Sequence, residues 1–375
     1  MPLPGSERAP LPAAENAGPV DGAQRIEITL VTRRRAALPQ ELVEGPETVT
    51  REELAARHGT DPADMDTLRT VLAAQGLEIT EADPGARRVK VAGSLAALSE
   101  TFGAQLTMVR SPHPASQQPV EHRYREGSLR LPAALGGIVL AVLGLDDRPQ
   151  ARPQFRRAAA APAAGTGTGT GTPGTGTPGA GATPAAAPTS YTPPQVAEFY
   201  QFPPNTTGAG HTLAIIELGG GFGSSDLDPY FAGLGIPVPS VTAASVDGAA
   251  NAPGQDPNGA DGEVLLDIEV AGAVAPGAAQ VVYFAPNTDQ GFVDGVTSAV
   301  HASPTPTAIS ISWGQSEDTW TAQGRTALDQ ALADAAALGI TVTVAAGDNG
   351  SADAQTDGAQ HADFPASSPH ALACG

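Results

Sequence analysis

Cysteine, aromatic residues and long apolar runs are scarce in this chain of 375 residues. The single cysteine, Cys374, excludes an intramolecular disulfide framework and a zinc site built from cysteines, and we expect it to be a small buried residue. The longest apolar run, Leu135–Leu145, is far shorter than the roughly 20 residues of a membrane-spanning helix. Residues 1–20 lack the basic and then apolar pattern of a signal peptide. No membrane anchor is predicted, and export would need a signal that this sequence does not show.

Basic residues are nearly absent from the second half of the chain. Nineteen of the twenty Lys and Arg residues occur at or before Arg157, whereas the forty acidic residues divide equally about that point, so residues 158–375 carry a net charge of −19. The carboxylates of such a segment repel one another at neutral pH, and this repulsion falls when they take up protons at about pH 4. The same charge repels phosphate backbones, which argues against nucleic-acid binding. The composition therefore suits an acidic medium.

A low-complexity tract divides the chain. Residues 158–189 are nearly all Ala, Gly, Thr and Pro, without charge or large apolar side chains. This composition predicts a linker, where proteolytic nicking is expected. The whole chain also exceeds the roughly 250–300 residues at which a single core stops growing. We therefore expect an N-terminal domain of residues 20–157, a linker of residues 158–189 and a C-terminal domain of residues 190–375.

The N-terminal domain shows mixed α and β periodicity. Strands are predicted at Arg25–Val31 and Arg88–Ala92, and helices at Arg51–His58, Pro62–Gln75 and Ser94–Phe102. Thr50 followed by Glu53 has the spacing of a helix capping box. Nothing in this domain forms a catalytic constellation.

The C-terminal domain alternates apolar strands with helices. Strands are predicted at Thr212–Glu217, Gln280–Phe284, Ala308–Ser312 and Thr341–Ala346, and helices at Gly262–Ala275, Asp289–Ala302 and Gly324–Leu338. This alternation predicts an α/β fold with a parallel sheet covered on both faces. The loops Gly219–Gly223, Trp313–Gln315 and Gly347–Gly350 follow strand ends, so we expect them to line one crevice.

One helix carries two acids four residues apart. In the stretch DGEVLLDIEVAGA, Glu263 and Asp267 project from the same helix face. Two neighbouring carboxylates repel, which raises one pKa and suits a general base with a carboxylate that orients it. A solvated acidic helix start, favoured by the helix dipole, has the same pattern. The spacing alone leaves both interpretations open.

Several motifs in order resemble the sedolisin and kumamolisin family of serine-carboxyl peptidases. The stretch DGEVLLDIEVAGAVAPGA resembles the family's base-bearing helix, which implies that Glu263 is the general base and Asp267 the acid orienting it. Asp348 in AAGDNG resembles the oxyanion-hole aspartate of the family. A carboxyl donates a hydrogen bond to an oxyanion only when it is protonated, so this role requires acid or a strongly raised pKa. The resemblance thus implies activity at acidic pH.

Further matches extend the resemblance from about Tyr191 to Gly375. Glu217 in AIIELGGG and Trp313 in ISISWG resemble the supporting network, and Asp363 in ADFPASSP resembles a substrate-pocket position. The stretches REELAARHGTDPADM and GLDDRPQARPQFR resemble the family's activation prodomain. The resemblance implies a secreted proenzyme with an α+β prodomain and a subtilisin-like, here incomplete, parallel sheet. The prodomain would be an intramolecular inhibitor and chaperone, and the other partners would be peptide or protein substrates.

The family's nucleophile has no counterpart here. Its serine lies in a Ser-Gly-Thr-Ser motif downstream of the matched region, with a calcium site later still, and no such motif occurs between residues 1 and 375. The serines at 224, 225, 310, 312 and 316 lie outside such a motif, and none is assigned as the nucleophile. No nucleophile and no metal ligand is therefore assigned in this chain. We expect the chain as given to be inactive, as a fragment of a longer reading frame whose calcium site lies beyond Gly375.

Parts of the sequence suggest two other functions. A dinucleotide-binding domain is suggested by Gly219–Gly223 after a strand, but the fingerprint would need glycine where Ser224 or Asp226 stands. A catalytically inactive protein, acting only by contact between its prodomain and its catalytic domain, is the alternative to a peptidase. The sequence beyond Gly375 distinguishes these two.

Overall fold

The computed structural model describes residues 1–11, 13–154 and 190–375, and the predicted linker lies outside the described residues. The N-terminal domain contains the strands β1 Glu15–Pro19, β2 Arg25–Thr32, β3 Glu78–Asp83, β4 Arg88–Ser94, β5 Thr107–Pro112, β6 Pro119–Tyr124, β7 Val139–Leu143 and β8 Arg152–Pro153. Its helices are α1 Gln40–Glu44, α2 Arg51–His58, α3 Pro62–Ala74 and α4 Leu95–Phe102.

The C-terminal domain continues this numbering. Its strands are β9 Thr212–Glu217, β10 Val241–Ser245, β11 Ala279–Phe284, β12 Ala308–Ile311, β13 Trp313–Ser316, β14 Thr341–Ala345, β15 Asp363–Phe364 and β16 Leu372–Cys374. Its helices are α5 Pro193–Phe199, α6 Ser224–Leu234, α7 Ala260–Val274, α8 Asp289–Val300 and α9 Ala322–Ala337.

A six-stranded parallel sheet, in the order β10-β11-β9-β12-β14-β16, forms the centre of the C-terminal domain. Successive side chains of a strand point to opposite faces. Ile215 of β9 accordingly packs in a cluster with Phe231 of α6 and Val264 of α7, whereas Ile216 belongs to the cluster with Phe292 of α8. Helices cover both faces, which is why these strands are apolar throughout. The predicted α/β class is confirmed.

The N-terminal domain is built on a four-stranded antiparallel sheet in the order β3-β4-β2-β7. One face packs on its own helices, with Leu30 of β2 in the same cluster as Leu68 of α3 and Phe102 of α4. The other face contributes Val31 and Leu143 to the core of the C-terminal domain. The sheet is therefore held between two helix layers, one from each domain, and the predicted α+β class is confirmed.

The helix α2 and the capping box predicted for the N-terminal domain are confirmed. Helix α2 has the predicted bounds, and its capping box forms: Glu53 N donates to Thr50 Oγ1 at 3.1 Å, and Thr50 N donates to Glu53 Oε2 at 3.0 Å. Residues ahead of position 20 also belong to the folded unit, because β1 pairs with β5 and Leu3 is buried.

Two local expectations differ from the structure. The segment Trp313–Gln315, expected as a loop, lies in strand β13, because it pairs with β15 on one side and with β8 on the other. Cys374, expected as a small buried residue, is exposed in β16 at the edge of the sheet. Within the described ranges, no helix is both long enough and apolar enough to cross a bilayer.

The uneven charge distribution forms a complementary interface between the two domains. Asp334 of α9 is 2.6 Å from Arg34 and 2.9 Å from Arg87, and both arginines come from the N-terminal domain. Further ion pairs cross the same interface, between Lys90 and both Asp247 and Asp294, and between Arg8 and Asp289. The basic residues that the C-terminal domain lacks are thus supplied by its neighbour.

Candidate functional site

The acidic helix α7 begins in a tightly held loop. Asp261 Oδ2 accepts hydrogen bonds from Gly254 N at 3.1 Å and from Asp256 N at 2.7 Å. The turn after β9 packs against the same point: Gly220 has φ of +70°, and a Cβ there would lie 2.5 Å from the carbonyl carbon of Ala260. The glycine-rich segment after β9 therefore allows a close approach of two backbones, which fixes the start of α7 against the strand end.

Three carboxyl groups converge beside this helix start. Glu217 ends β9 and is fully buried, and Trp313 Nε1 donates to its Oε2 at 2.7 Å. Asp267 lies one helical turn after the buried Glu263 and accepts a hydrogen bond from Ser312 Oγ at 2.9 Å. The strand ends of β9 and β12 and the first turns of α7 thus bring together four residues singled out from the sequence.

The pKa values of these carboxyls are raised together. Burial, followed by the charges of Asp267 and Asp348, raises the pKa of Glu263 to about 9. Burial raises the pKa of Asp267 to about 7, against the hydrogen bond from Ser312. Burial and the charge of Asp267 raise the pKa of Glu217 well above its usual range. Neighbouring carboxyls cannot all ionise, so the group shares protons and is able to accept one and return it.

The other two predicted acids lie in or against the turn after β14. Asp348 is exposed in that turn, and its charge acts on Glu263. Asp363 is buried between Gly314 and Gly347, where a Cβ at Gly314 would lie 1.8 Å from Asp363 Oδ1. Burial and the charge of Asp353 raise the pKa of Asp363 to about 7. The glycine of the SWG motif thus makes room for this carboxyl.

The end of the N-terminal domain lies across the site. Strand β8 pairs antiparallel with β13, with Pro153 opposite Trp313 and Arg152 opposite Gly314. The next residue, Gln154, donates its backbone N–H to the carbonyl oxygen of Ser312 at 2.9 Å. Its backbone also opposes the rise that burial causes in the pKa of Glu263.

Two side chains of this segment also reach acids of the site. Gln154 Nε2 donates to Asp363 Oδ2 at 2.9 Å, and Arg152 pairs with the buried Asp353. A peptide main chain and two side chains therefore already occupy the cleft.

Sequence reasoning did not find Ser312, Asp353 or Gln154. Ser312 precedes the tryptophan of the matched ISISWG motif, so its position could have been tested against Asp267. Asp353 and Gln154 meet their partners only through contacts distant in sequence, and no local signal marks them. In the described ranges, no group of three or more His, Cys, Asp or Glu is arranged to hold a metal ion.

The chain is similar in sequence to known proteins. The Pro-kumamolisin activation domain family matches residues 13–148. All of the chain aligns with Kumamolisin from Bacillus sp. (strain MN-32), at 44% identity and covering 66% of that protein. Tripeptidyl-peptidase sed5 from Aspergillus fumigatus is 25% identical over 98% of the chain, which covers 64% of that protein.

Among solved structures, Pseudomonas sedolisin, a serine-carboxyl proteinase complexed with two molecules of pseudo-iodotyrostatin, is similar over 49% of this chain and 53% of its own, with 26% identity and a TM-score of 0.44. The chain spans just under two thirds of the length of the two curated relatives. The match along the entire chain and the activation-domain match confirm the resemblance seen in the motifs. The chain belongs to the sedolisin and kumamolisin family of serine-carboxyl peptidases.

Proposed function

We propose that the full-length protein is a zymogen of a serine-carboxyl endopeptidase that hydrolyses peptide bonds at acidic pH. The observation that carries the proposal is the position of the peptide segment 152–154 beside the proton-sharing carboxyls around Glu263. A peptidase needs these two components side by side, a bound peptide and a group that transfers protons.

The carboxyl group supplies the base that histidine supplies in other serine peptidases. In the state of the network in which Glu263 is the ionised carboxyl, Glu263 takes the proton of the serine hydroxyl as the serine oxygen attacks the peptide carbonyl, and then passes that proton to the leaving amine. Asp267 orients Glu263, and Glu217 and Trp313 extend the network. Protonated Asp348 donates a hydrogen bond to the oxyanion. The serine itself belongs to a downstream segment of the full-length protein.

The prodomain is the intramolecular inhibitor in this proposal. It fills the cleft with residues 152–154 and also covers it from the side, because Pro114–Ser116 line one wall of a cavity of about 370 Å³ beside the loop that precedes α7. Substrates are peptides or proteins that bind along β13 as β8 does, with one side chain reaching Asp363. Hydrogen bonds along an exposed strand edge bind a peptide main chain largely independently of its sequence.

The setting of the enzyme is part of the same proposal. We infer an extracellular protein, because the net charge of −19 on residues 158–375 suits an acidic medium. The calcium ion that the family resemblance implies has no ligands assigned in this chain, and its site is expected in the downstream segment.

The proposal is tested by producing the full-length protein and measuring hydrolysis of an unfolded protein substrate from about pH 3 to 8, a range that crosses ordinary carboxyl and histidine pKa values. We expect self-cleavage followed by substrate hydrolysis that is fastest in acid. Lack of hydrolysis at every pH by the full-length folded protein would favour the inactive, interaction-only alternative.

A further inference from the structure

Asn287, in the connection between β11 and α8, binds main-chain atoms of the N-terminal domain. Its Oδ1 accepts hydrogen bonds from the backbone N–H groups of Gln150 at 3.1 Å and Ala151 at 2.9 Å. Its Nδ2 donates to the carbonyl oxygen of Ala151 at 2.8 Å. The side-chain amide therefore contacts only backbone atoms of this segment. Such recognition does not depend on the bound side chains, except that proline would remove a donor.

The bound residues continue directly into the cleft. Ala151 precedes the pair that forms β8, and the chain then reaches Gln154, whose N–H donates to the carbonyl oxygen of Ser312, the residue whose hydroxyl donates to Asp267. Arg152 and Pro153 pair antiparallel with β13. The bound peptide therefore runs continuously from Asn287 to the proton-sharing carboxyls. Ala151, which Asn287 binds, is three positions before Gln154, which lies beside these carboxyls.

We propose that Asn287 is a substrate-positioning residue, which binds the main chain of the substrate three residues upstream of the residue that lies beside Glu263. This inference rests on the proposed peptidase function and adds to it a binding position on the upstream side of the cleft. The prodomain then blocks the cleft along the path that a substrate follows. Asn287 would hold an extended peptide at a fixed distance from the reacting bond, whatever its sequence.

Gln323, at the start of α9, provides a matched comparison. Its Nε2 donates to the carbonyl oxygen of Val142 at 2.9 Å, and its Oε1 accepts from Val142 N at 3.2 Å. Val142 lies in β7, the edge strand of the prodomain sheet, rather than in the segment that crosses the cleft. Gln323 therefore binds prodomain backbone in the same way as Asn287 but outside the substrate path.

The test uses the full-length enzyme after maturation and two peptides that share one scissile bond. The long peptide has five residues upstream of that bond, and the short peptide has two. For Asn287→Ala we expect kcat/KM to fall about 10- to 100-fold on the long peptide and little on the short one, as the loss of two or three modest hydrogen bonds implies. In Gln323→Ala, the ratio of kcat/KM on the long peptide to kcat/KM on the short peptide should equal that of the unsubstituted enzyme. Inhibition by added prodomain should be weaker.

An ester-containing peptide separates direct contact from a structural effect. Replacing the N–H that corresponds to Ala151 by an ester oxygen should lower kcat/KM about 10-fold for the unsubstituted enzyme and leave it unchanged for Asn287→Ala. If Asn287→Ala does not fold, the same ester is compared, in the unsubstituted enzyme, with an ester at the residue that corresponds to Pro153, which has no N–H in the bound segment, and only the ester at Ala151 should lower kcat/KM.

Equal losses on the long and short peptides, or an ester penalty that persists in Asn287→Ala, would overturn the inference while the peptidase function stands. Failure of the unsubstituted enzyme to cleave either peptide would overturn the proposed function and this inference with it.

Discussion

At the scale of single residues, the site depends on buried polar groups whose partners come from other elements. Glu217 is buried at the end of β9, and the indole of Trp313 is its donor. The pairing of Glu263 with Asp267 could be predicted from their spacing, because both lie on one helix. The contacts of Glu217 with Trp313 and of Asp267 with Ser312 could not be derived from spacing, because each joins residues at least 45 positions apart.

Trp313→Phe should destabilise the chain, because Glu217 Oε2 loses its donor in a buried position. We expect a loss of about 1–3 kcal/mol in the free energy of unfolding, measured by urea denaturation. Trp320→Phe is the control: Trp320 is also buried, but its indole N–H has no hydrogen-bond partner among the described residues. Equal losses for the two variants would contradict a specific role of the Glu217 hydrogen bond.

At the scale of elements, the sequence predicts those helices and strands whose formation depends on residues close together in the chain. Four strands of the six-stranded parallel sheet, β9, β11, β12 and β14, and the helices α7, α8 and α9 are predicted within about two residues, because burial on both faces imposes a clear pattern. The edge strands β10 and β16 and helix α6 are not predicted. Strands β8 and β13 are not predicted, since each is short and pairs only with strands distant in sequence: β8 with β13, and β13 with both β8 and β15. The glycine-rich turn after β9 suggested nucleotide binding as an alternative, whereas its geometry serves the contact with α7.

Gly220→Ala tests how the turn after β9 fixes helix α7. The added Cβ would meet the backbone of Ala260, and the left-handed φ is unfavourable for alanine, so we expect a loss of more than about 2 kcal/mol in unfolding free energy. Gly210→Ala shares the left-handed φ but has open space around the Cβ, and should lose about 1 kcal/mol. If Gly220→Ala were as stable as Gly210→Ala, the close approach of Gly220 to the backbone of Ala260 would not contribute to the free energy of unfolding.

At the scale of the whole molecule, the charge imbalance of the sequence becomes an interface between an acidic domain and a nearly neutral domain that supplies the basic residues. Burial alone would raise the pKa of Asp334, but His301, Arg87 and Arg34 together hold it well below its usual range. A carboxylate with a depressed pKa stabilises the folded state above its ordinary pKa of about 3.9, and the contribution disappears only as the pH falls through the lower, folded-state value. This cluster therefore resists mild acid, so protonation at about pH 4 should not by itself loosen the contact between the two domains.

Asp334→Asn should separate the two domains, because Arg34 and Arg87 would remain together at the interface without an anion, at a cost of about 3–5 kcal/mol. The measurement is gel filtration of the protein cut at a protease site inserted within residues 158–189. The cut protein should stay associated at pH 7 and pH 4, whereas the variant should dissociate at both. Asp329→Asn, on the same helix, is the control. Dissociation of the unsubstituted cut protein at pH 4 would contradict the role given to Asp334.

The raised pKa values predict how stability depends on pH. Glu263 has a pKa of about 9, and Asp247, Asp267 and Asp363 have pKa values of about 7, so the folded state binds protons that the unfolded state releases. Stability should therefore rise as the pH falls from about 9 towards the ordinary carboxyl pKa of about 4.3. Urea denaturation at pH 9, 7 and 5 measures this trend. Greater stability at pH 9 than at pH 5 would contradict the buried, protonated network.

The central claim is that a carboxyl group, and not a histidine, is the base of the proposed peptidase. The most direct test is the pH dependence of kcat/KM for Glu263→Gln and His211→Ala in the full-length protein. His211 is exposed and its Nδ1 lies 2.8 Å from Thr307 Oγ1, outside the cleft. We predict that Glu263→Gln folds but loses self-processing and at least about 1,000-fold in activity, within the range that loss of a general base produces. His211→Ala should retain activity with its maximum in acid. Near-normal cleavage by Glu263→Gln, or a maximum near pH 8, would contradict the account.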